Sequence, residues 1–334
     1  MDIEDPRQLI GWLRATGRIA ADEEPRIATL SGGVSNRTVL VERQAEAWVL
    51  KQALATLRVA TEWHCSPERV HREALGLRWL ERLAPAGSIT PLLFEDHEHH
   101  VLAMRAVPRP HVNLKDALLA GDFDDAHLAA LGELLGAIHA ASRAVGPAAL
   151  AEFADRSFFV ELRLEPYYRY TAANVAAAGP FLAALERDLD AAPRVLVHGD
   201  YSPKNVLVRS GRLVLLDHEV IHLGDGAFDV GFALAHLISK AHHLPALRER
   251  FARGARGFWS AYAAASGEVA REAGFAGRAA RHGLACLLAR VAGRSPIEYL
   301  TSAERAAQRR AALALMAAPP DDPAALVDRF LERI

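Results

Sequence analysis

The stretch that decides the fold is His198-Gly199-Asp200-Tyr201-Ser202-Pro203-Lys204-Asn205, followed by Leu215-Leu216-Asp217-His218-Glu219. Short apolar runs of β character surround it: RVLV at 194–197, NVLV at 205–208 and LVLL at 213–216. One strand therefore delivers Asp200 to a loop that also carries Asn205, and a second delivers Asp217 and Glu219. Alternate residues of a strand face one side of it, so these two acids are expected to point together. Oxygen donors at this density suit Mg²⁺, which takes one or two carboxylates together with phosphate oxygens and water. Any one of these residues alone would be explained as a polar cap on a strand; the joint pattern argues for a site.

The spacing H-x-D-x-x-x-x-N matches the catalytic loop of kinases. HGDYSPKN with LLDHE resembles the aminoglycoside phosphotransferase / choline kinase / methylthioribose kinase superfamily, which carries H-G-D where protein kinases carry H-R-D. D-x-E in place of D-F-G is closest to methylthioribose kinase-like members. The resemblance runs from about Leu30 to Leu237. It implies an α+β, bilobal protein-kinase-like fold with a small antiparallel-sheet lobe, residues 1–107, and a mostly helical lobe, residues 108–334. It also implies Asp200 as catalytic base and Asn205 and Asp217 as Mg²⁺ ligands, with Glu219 as a further metal contact. His198, and Asp229 in GDGAFDVG, are expected to brace the catalytic loop.

Working outward toward the N-terminus, RTVLVE at 37–42 and EAWVLKQ at 46–52 read as strands. A helix is expected from Pro67 to Leu83, and further strands at 89–94 and 100–104. Asp5-Pro6 reads as the cap and first turn of a short leading helix. Ser31-Gly32-Gly33-Val34-Ser35-Asn36 lies between strand-like runs, where small residues let backbone N–H groups approach phosphate oxygens. On its own a paired glycine is an ordinary hairpin turn. The order that follows raises it: Lys51 ends a strand where a kinase lysine pairs with the α- and β-phosphates, and Glu73 on the next helix is that lysine's partner. The run Leu102–Val107 falls at the interlobe hinge, with Met104 and Ala106 the expected adenine contacts. ATP or GTP with Mg²⁺ is thus the implied cofactor pair.

From Asp124 onward the chain reads as mostly helical, and its C-terminal part bears on the acceptor. Between Leu244 and Ala311 there are twelve arginines and five glutamates, with no lysine or aspartate. A polycationic aminoglycoside wants a carboxylate-lined pocket; an arginine-rich one suits a neutral or anionic sugar, nucleoside or uronate-type acceptor. Arg281, Arg290 and Arg294 are the pocket candidates, and His222 and Asp225 could face the acceptor, although Asp225 is better placed to shape the GDG turn.

The composition agrees with this class. Of 334 residues, 51% are hydrophobic and 24% charged, which excludes a largely disordered chain. A net charge of −2, without arginines interleaved with aromatics, argues against a nucleic-acid partner. Two distant cysteines, Cys65 and Cys286, suit a reducing cytosol. The acidic start MDIED does not read as a signal peptide, and no apolar run suggests a membrane span. The expectation is a cytoplasmic small-molecule kinase, monomer or homodimer. Its acceptor is a hydroxyl of a sugar-containing molecule, including an antibiotic such as a nucleoside-type one. Methylthioribose-like salvage, an aminoglycoside, or a nucleotide-binding pseudokinase are the alternatives.

Overall fold

The computed structural model describes residues 1–30, 33, 35–58 and 63–334. Helix α1 (Pro6–Ala15) starts where the Asp5 side chain accepts from the Arg7 and Gln8 N–H groups. Five strands follow: β1 (Arg26–Thr29), β2 (Asn36–Glu42), β3 (Ala47–Ala53), β4 (Leu92–Asp96) and β5 (Val101–Arg105). They form one antiparallel sheet in the order β1-β2-β3-β5-β4. Helix α2 (Arg69–Leu83) lies between β3 and β4 in sequence.

Strand alternation explains how this lobe is built. Trp48 and Leu50 of β3 join Leu9 and Leu13 of α1 in one apolar cluster, so α1 covers one face of the sheet. Val49 and Ala53, on the opposite parity, pack in a second cluster with Val70 and Leu77 of α2. Lys51 shares the parity of Val49 and Ala53, and Glu73 shares the helical stripe of Val70 and Leu77. Packing of apolar neighbours therefore brings an ammonium and a carboxylate face to face.

The rest of the chain is mainly helical. Helix Asp125–Val145 is long and apolar enough to cross a membrane by length and composition, contrary to the reading of its apolar runs, and half of its most apolar window is buried inside the protein. It packs on helix Arg248–Ala265 so closely that a Cβ at Gly132 would fall 2.1 Å from the Phe258 carbonyl oxygen. Helix Ala227–His243 is buried along nearly its whole length and packs on helix Phe275–Ala292. Into this helical body are set β6 (Val112–Asn113), β7 (Val195–Val197), β8 (Val206–Arg209), β9 (Arg212–Leu215) and β10 (His222–Gly224). β7 pairs with β10, and β6-β8-β9 form a second small sheet. Leu215 N–H donates to the Ser88 carbonyl at 2.8 Å, tying β9 to the end of the sheet lobe.

Candidate active site

Lys51 is the centre of the first half of the site. Its Nζ lies 2.7 Å and 3.0 Å from the two Glu73 oxygens and 2.7 Å from Asp217 Oδ1. Two carboxylates thus share one ammonium, a situation in which their pKa values are driven apart. Burial and the neighbouring acids push the fully buried Glu73 up to about 7. Asp217, although burial opposes it, is held well below the carboxylate range by the ammonium of Lys51 and then that of Lys204. Lys51 stays protonated: burial disfavours its charge, but Asp217 and Glu73 more than restore it.

Asp217 does not belong to a strand. β9 stops at Leu215, and Asp217 has φ +69°, the left-handed region that a non-glycine residue seldom adopts. The expected alternation of Asp217 and Glu219 therefore fails, and the two acids take different partners. Glu219 Oε2 accepts from Asn36 Nδ2 at 2.9 Å and from Arg69 Nε at 3.2 Å. Arg69 is wholly buried and also donates to the carbonyls of Ser35, Leu54, Cys65 and Ser66. This knot joins the end of the glycine-containing stretch to the segment that carries Asp217. Of that stretch, Gly33, Ser35 and Asn36 are described; Ser31, Gly32 and Val34 lie outside the described residues.

Asp200 anchors the second half. It is buried, its Oδ1 is 2.9 Å from Arg163 Nη2, and its Oδ2 is 2.9 Å from Lys204 Nζ and 2.8 Å from Asn205 Nδ2. Burial raises its pKa, yet Arg163 and Lys204 outweigh that and hold it below 3.8, so it stands ready as an anionic acceptor. Asn205 Nδ2 also donates to the Asp200 carbonyl at 2.9 Å, which leaves Asn205 Oδ1 without a donor among the described residues.

The loop's shape rests on His198 and Asp229. Asp229 accepts from the His198 N–H at 2.6 Å and the Gly199 N–H at 2.8 Å. His198 Nδ1 accepts from the Asp200 N–H at 3.2 Å, and its Nε2 donates to the Leu216 carbonyl at 3.1 Å. A single neutral tautomer satisfies both bonds, and burial lowers the ring's pKa accordingly. One imidazole thus spans the Asp200 loop and the Asp217 loop.

At the hinge the structure differs from the expectation. Met104 pairs with Val49 inside the sheet, and Ala106 N–H is taken by the Ala47 carbonyl at 2.8 Å. Neither backbone N–H faces the cleft. Arg105 N–H donates to the Pro91 carbonyl at 2.9 Å. An antiparallel pair would return a bond to the Arg105 carbonyl, but proline has no N–H to give. Among the described residues, the carbonyl of Arg105 is therefore left as a free acceptor at the hinge.

The acceptor candidates separate. His222 is a core residue: it is buried, stacked on Phe159 with centroids 4.2 Å apart, and bonded through Nδ1 to the Val220 carbonyl at 2.9 Å. Burial depresses its pKa to about 4. Asp225 shapes the turn by accepting from the Ala227 N–H at 3.1 Å and pairing with Arg278 at 2.6 Å. Arg281 pairs with Asp188 at 2.9 Å, away from the catalytic loop, while Arg290 bonds Tyr167 and Ser295 and lines a cavity with Lys204. Arg294 lies between the Trp63 and Tyr170 rings in a separate, more open cleft. Arg163 and Arg69 have no sequence signal beyond their type; only the folded chain shows what they hold.

The family follows from comparison with known proteins. The model of the phosphotransferase enzyme family (APH) matches residues 26–267, and the chain belongs to that family. A methylthioribose kinase of Pectobacterium atrosepticum is 25% identical over 255 residues, covering 65% of this chain and 62% of that kinase. The chain thus spans somewhat under two thirds of that relative's length. Among solved structures, a choline/ethanolamine kinase family protein from Mesorhizobium loti superposes with a TM-score of 0.58 at 18% identity, covering 99% of each chain. The amicoumacin kinase hAmiN in complex with AMP-PNP, Ca²⁺ and Ami gives a TM-score of 0.61 at 11% identity, covering 94% of each chain. At such identities the likeness speaks for the bilobal kinase-like fold.

Proposed function

We propose that this protein transfers the γ-phosphate of ATP, or GTP, to a hydroxyl of a small sugar-containing molecule. The observation that carries the reading is Lys51 Nζ held 2.7 Å from Glu73 and 2.7 Å from Asp217, residues of different lobes, with Asp200 on the neighbouring loop. The donor set fits a nucleotide and Mg²⁺. Asp217 Oδ2 and Asn205 Oδ1 are oxygens without a protein donor among the described residues, on loops that His198 holds together. Glu219, whose Oε2 is held by Asn36 and Arg69, keeps Oε1 as a further oxygen on the segment that carries Asp217. When bound, the metal neutralises charge on the β- and γ-phosphates.

The chain's own residues would act as follows. Lys51 binds the α- and β-phosphates, positioned by Glu73; the described part of the glycine stretch, Gly33, Ser35 and Asn36, covers them. The Arg105 carbonyl accepts from the base. Asp200, kept anionic and fixed by Arg163, Lys204 and Asn205, orients the attacking hydroxyl and receives its proton on a carboxylate oxygen. Catalysis is then mainly positioning and charge stabilisation.

For the acceptor, a sugar-containing natural product ranks first, including an antibiotic such as a nucleoside-type one inactivated by O-phosphorylation. The 25% identical methylthioribose kinase supports a salvage sugar as the second reading. Retention of Lys51, Asp200, Asn205 and Asp217 argues against a pseudokinase. Two free thiols, Cys65 and Cys286, support a cytosolic setting. An acceptor panel read by ADP release tests this: turnover with antibiotics but not simple sugars supports resistance, and turnover with methylthioribose supports salvage. No nucleotide binding at all would refute the reading.

A further inference from the structure

Beside the catalytic loop is a small cavity of about 50 Å³, lined by Lys115, Lys204, Lys240, Arg290, Glu298 and Tyr299 among others. This is room for a few waters or one compact substituent, not for a sugar ring. Four cations line it against one carboxylate. Two of the cations are already matched: Lys115 pairs with Glu298, and Lys204 with Asp200 at 2.9 Å. Among the described residues the other two have no carboxylate partner. Arg290 bonds the Tyr167 hydroxyl at 3.2 Å and the Ser295 carbonyl and hydroxyl, all neutral groups. Lys240 is 1% exposed, and among the described residues its ammonium has a bond only to the His236 carbonyl at 3.5 Å, with the Tyr299 ring centroid 5.4 Å away.

A buried ammonium without a carboxylate is costly. Burial, then the like charges of Lys115 and Arg290, depress the Lys240 pKa to about 7. A buried ammonium and a half-buried guanidinium without a carboxylate partner among the described residues, in a cavity that shares Lys204 with the catalytic base, form a binding site incomplete without its anion. The nucleotide's phosphates are assigned to Lys51 and the metal ligands, whereas Lys204 connects this cavity to Asp200, where the acceptor hydroxyl must lie.

We propose that the acceptor carries an anionic substituent, a carboxylate or a phosphate, which this cavity binds between Lys240 and Arg290 while the acceptor's hydroxyl faces Asp200. The inference rests on the kinase reading above and narrows it to anionic sugars or nucleosides. A neutral acceptor would leave both cations unpaired, which makes the cavity a selectivity filter as well as an anchor.

Thermal melts of the full chain saturated with Mg·AMP-PNP, at constant ionic strength, test it with inorganic phosphate, D-glucuronate and D-glucose as probes. Phosphate or glucuronate should raise the melting temperature and glucose should not. The stronger anion tells a phosphorylated from a carboxylated acceptor. Lys240→Met, which replaces an unpaired charge by an apolar chain of similar length, should melt no lower than the native protein and bind the anion at least ~10-fold more weakly. AMP-PNP affinity should not change. Arg290→Gln provides the same comparison should Lys240→Met fail to fold. No response to either anion, or an equal response in the variants, overturns the inference. Failure of AMP-PNP itself to shift the melt refutes the kinase reading instead.

Discussion

Replacing Lys51 by methionine should destabilise the protein in a pH-dependent way. The substitution removes the one ammonium that Glu73 and Asp217 share at 2.7 Å. Breaking a buried ion pair by deleting one partner costs about 3–5 kcal/mol. For 334 residues the unfolding entropy is on the order of 0.7 kcal/mol per degree, so the loss is about 4–7 °C in Tm. Asp217 contributes equally at pH 8 and pH 5.5, since its pKa lies below both. Glu73 does not. Its folded pKa is raised from 4.5 to about 7, so its contribution is most favourable below 4.5 and is lost as pH rises through about 7.

Without the ammonium, the Glu73 carboxyl must hold a proton even at pH 8. That costs about 5 kcal/mol there and about 1.4 kcal/mol at pH 5.5. In the native protein the rise to about 7 corresponds to roughly 3 kcal/mol at pH 8, and at pH 5.5 Glu73 is protonated in both proteins. The variant therefore has an additional penalty of about 1–2 kcal/mol at pH 8, or about 2 °C. Melts followed by circular dichroism at the two pH values measure this directly. An equal loss at both, or a larger loss at pH 5.5, would refute the shared-ammonium account.

Other substitutions test other parts of the site. Asp200→Ala should lower phosphoryl transfer by about 10²–10⁴-fold while AMP-PNP affinity stays within about threefold, measured by ADP release and calorimetry. Arg163→Leu removes the first of the cations that hold Asp200 low, so the acidic limb of the pH–turnover profile should move to higher pH; an unmoved limb would remove Arg163 from that role. Gly199→Ala forces a side chain onto φ +79° with its Cβ 2.9 Å from Val220 Cγ1. It should cost about 1–3 kcal/mol in denaturant melts, whereas Gly257→Ala, with nothing within 4 Å, should be tolerated.

Much of this architecture was legible in the sequence because it is local. β2, β3, α2 and β5 start within two residues of where alternation and helical spacing placed them. The catalytic loop is a contiguous run whose spacing specifies its geometry. β1 was not legible, since its four residues include no buried one to set up an alternation. The Leu92 start of β4, rather than 89, follows Pro91, which cannot donate to a ladder. The site's fixing groups were illegible for a different reason. Arg163 is 37 residues before Asp200, on a wide-turned helical segment, and Arg69 reads as one more first-turn helix arginine although it is wholly buried. Their partners are set by tertiary packing alone. Arg281 and Arg290 look alike in sequence, but nine residues make two and a half helical turns, so they point to opposite faces.

Phosphoryl transfer as proposed requires a triphosphate between Lys51 and Asp200. A crystal structure of the protein with Mg²⁺ and AMP-PNP tests it most directly. The α- and β-phosphates should lie on Lys51 Nζ, the metal on Asp217 and Asn205, and the γ-phosphate should face the Asp200 carboxylate. Nucleotide bound elsewhere, or bound there with its γ-phosphate turned away from Asp200, would contradict it.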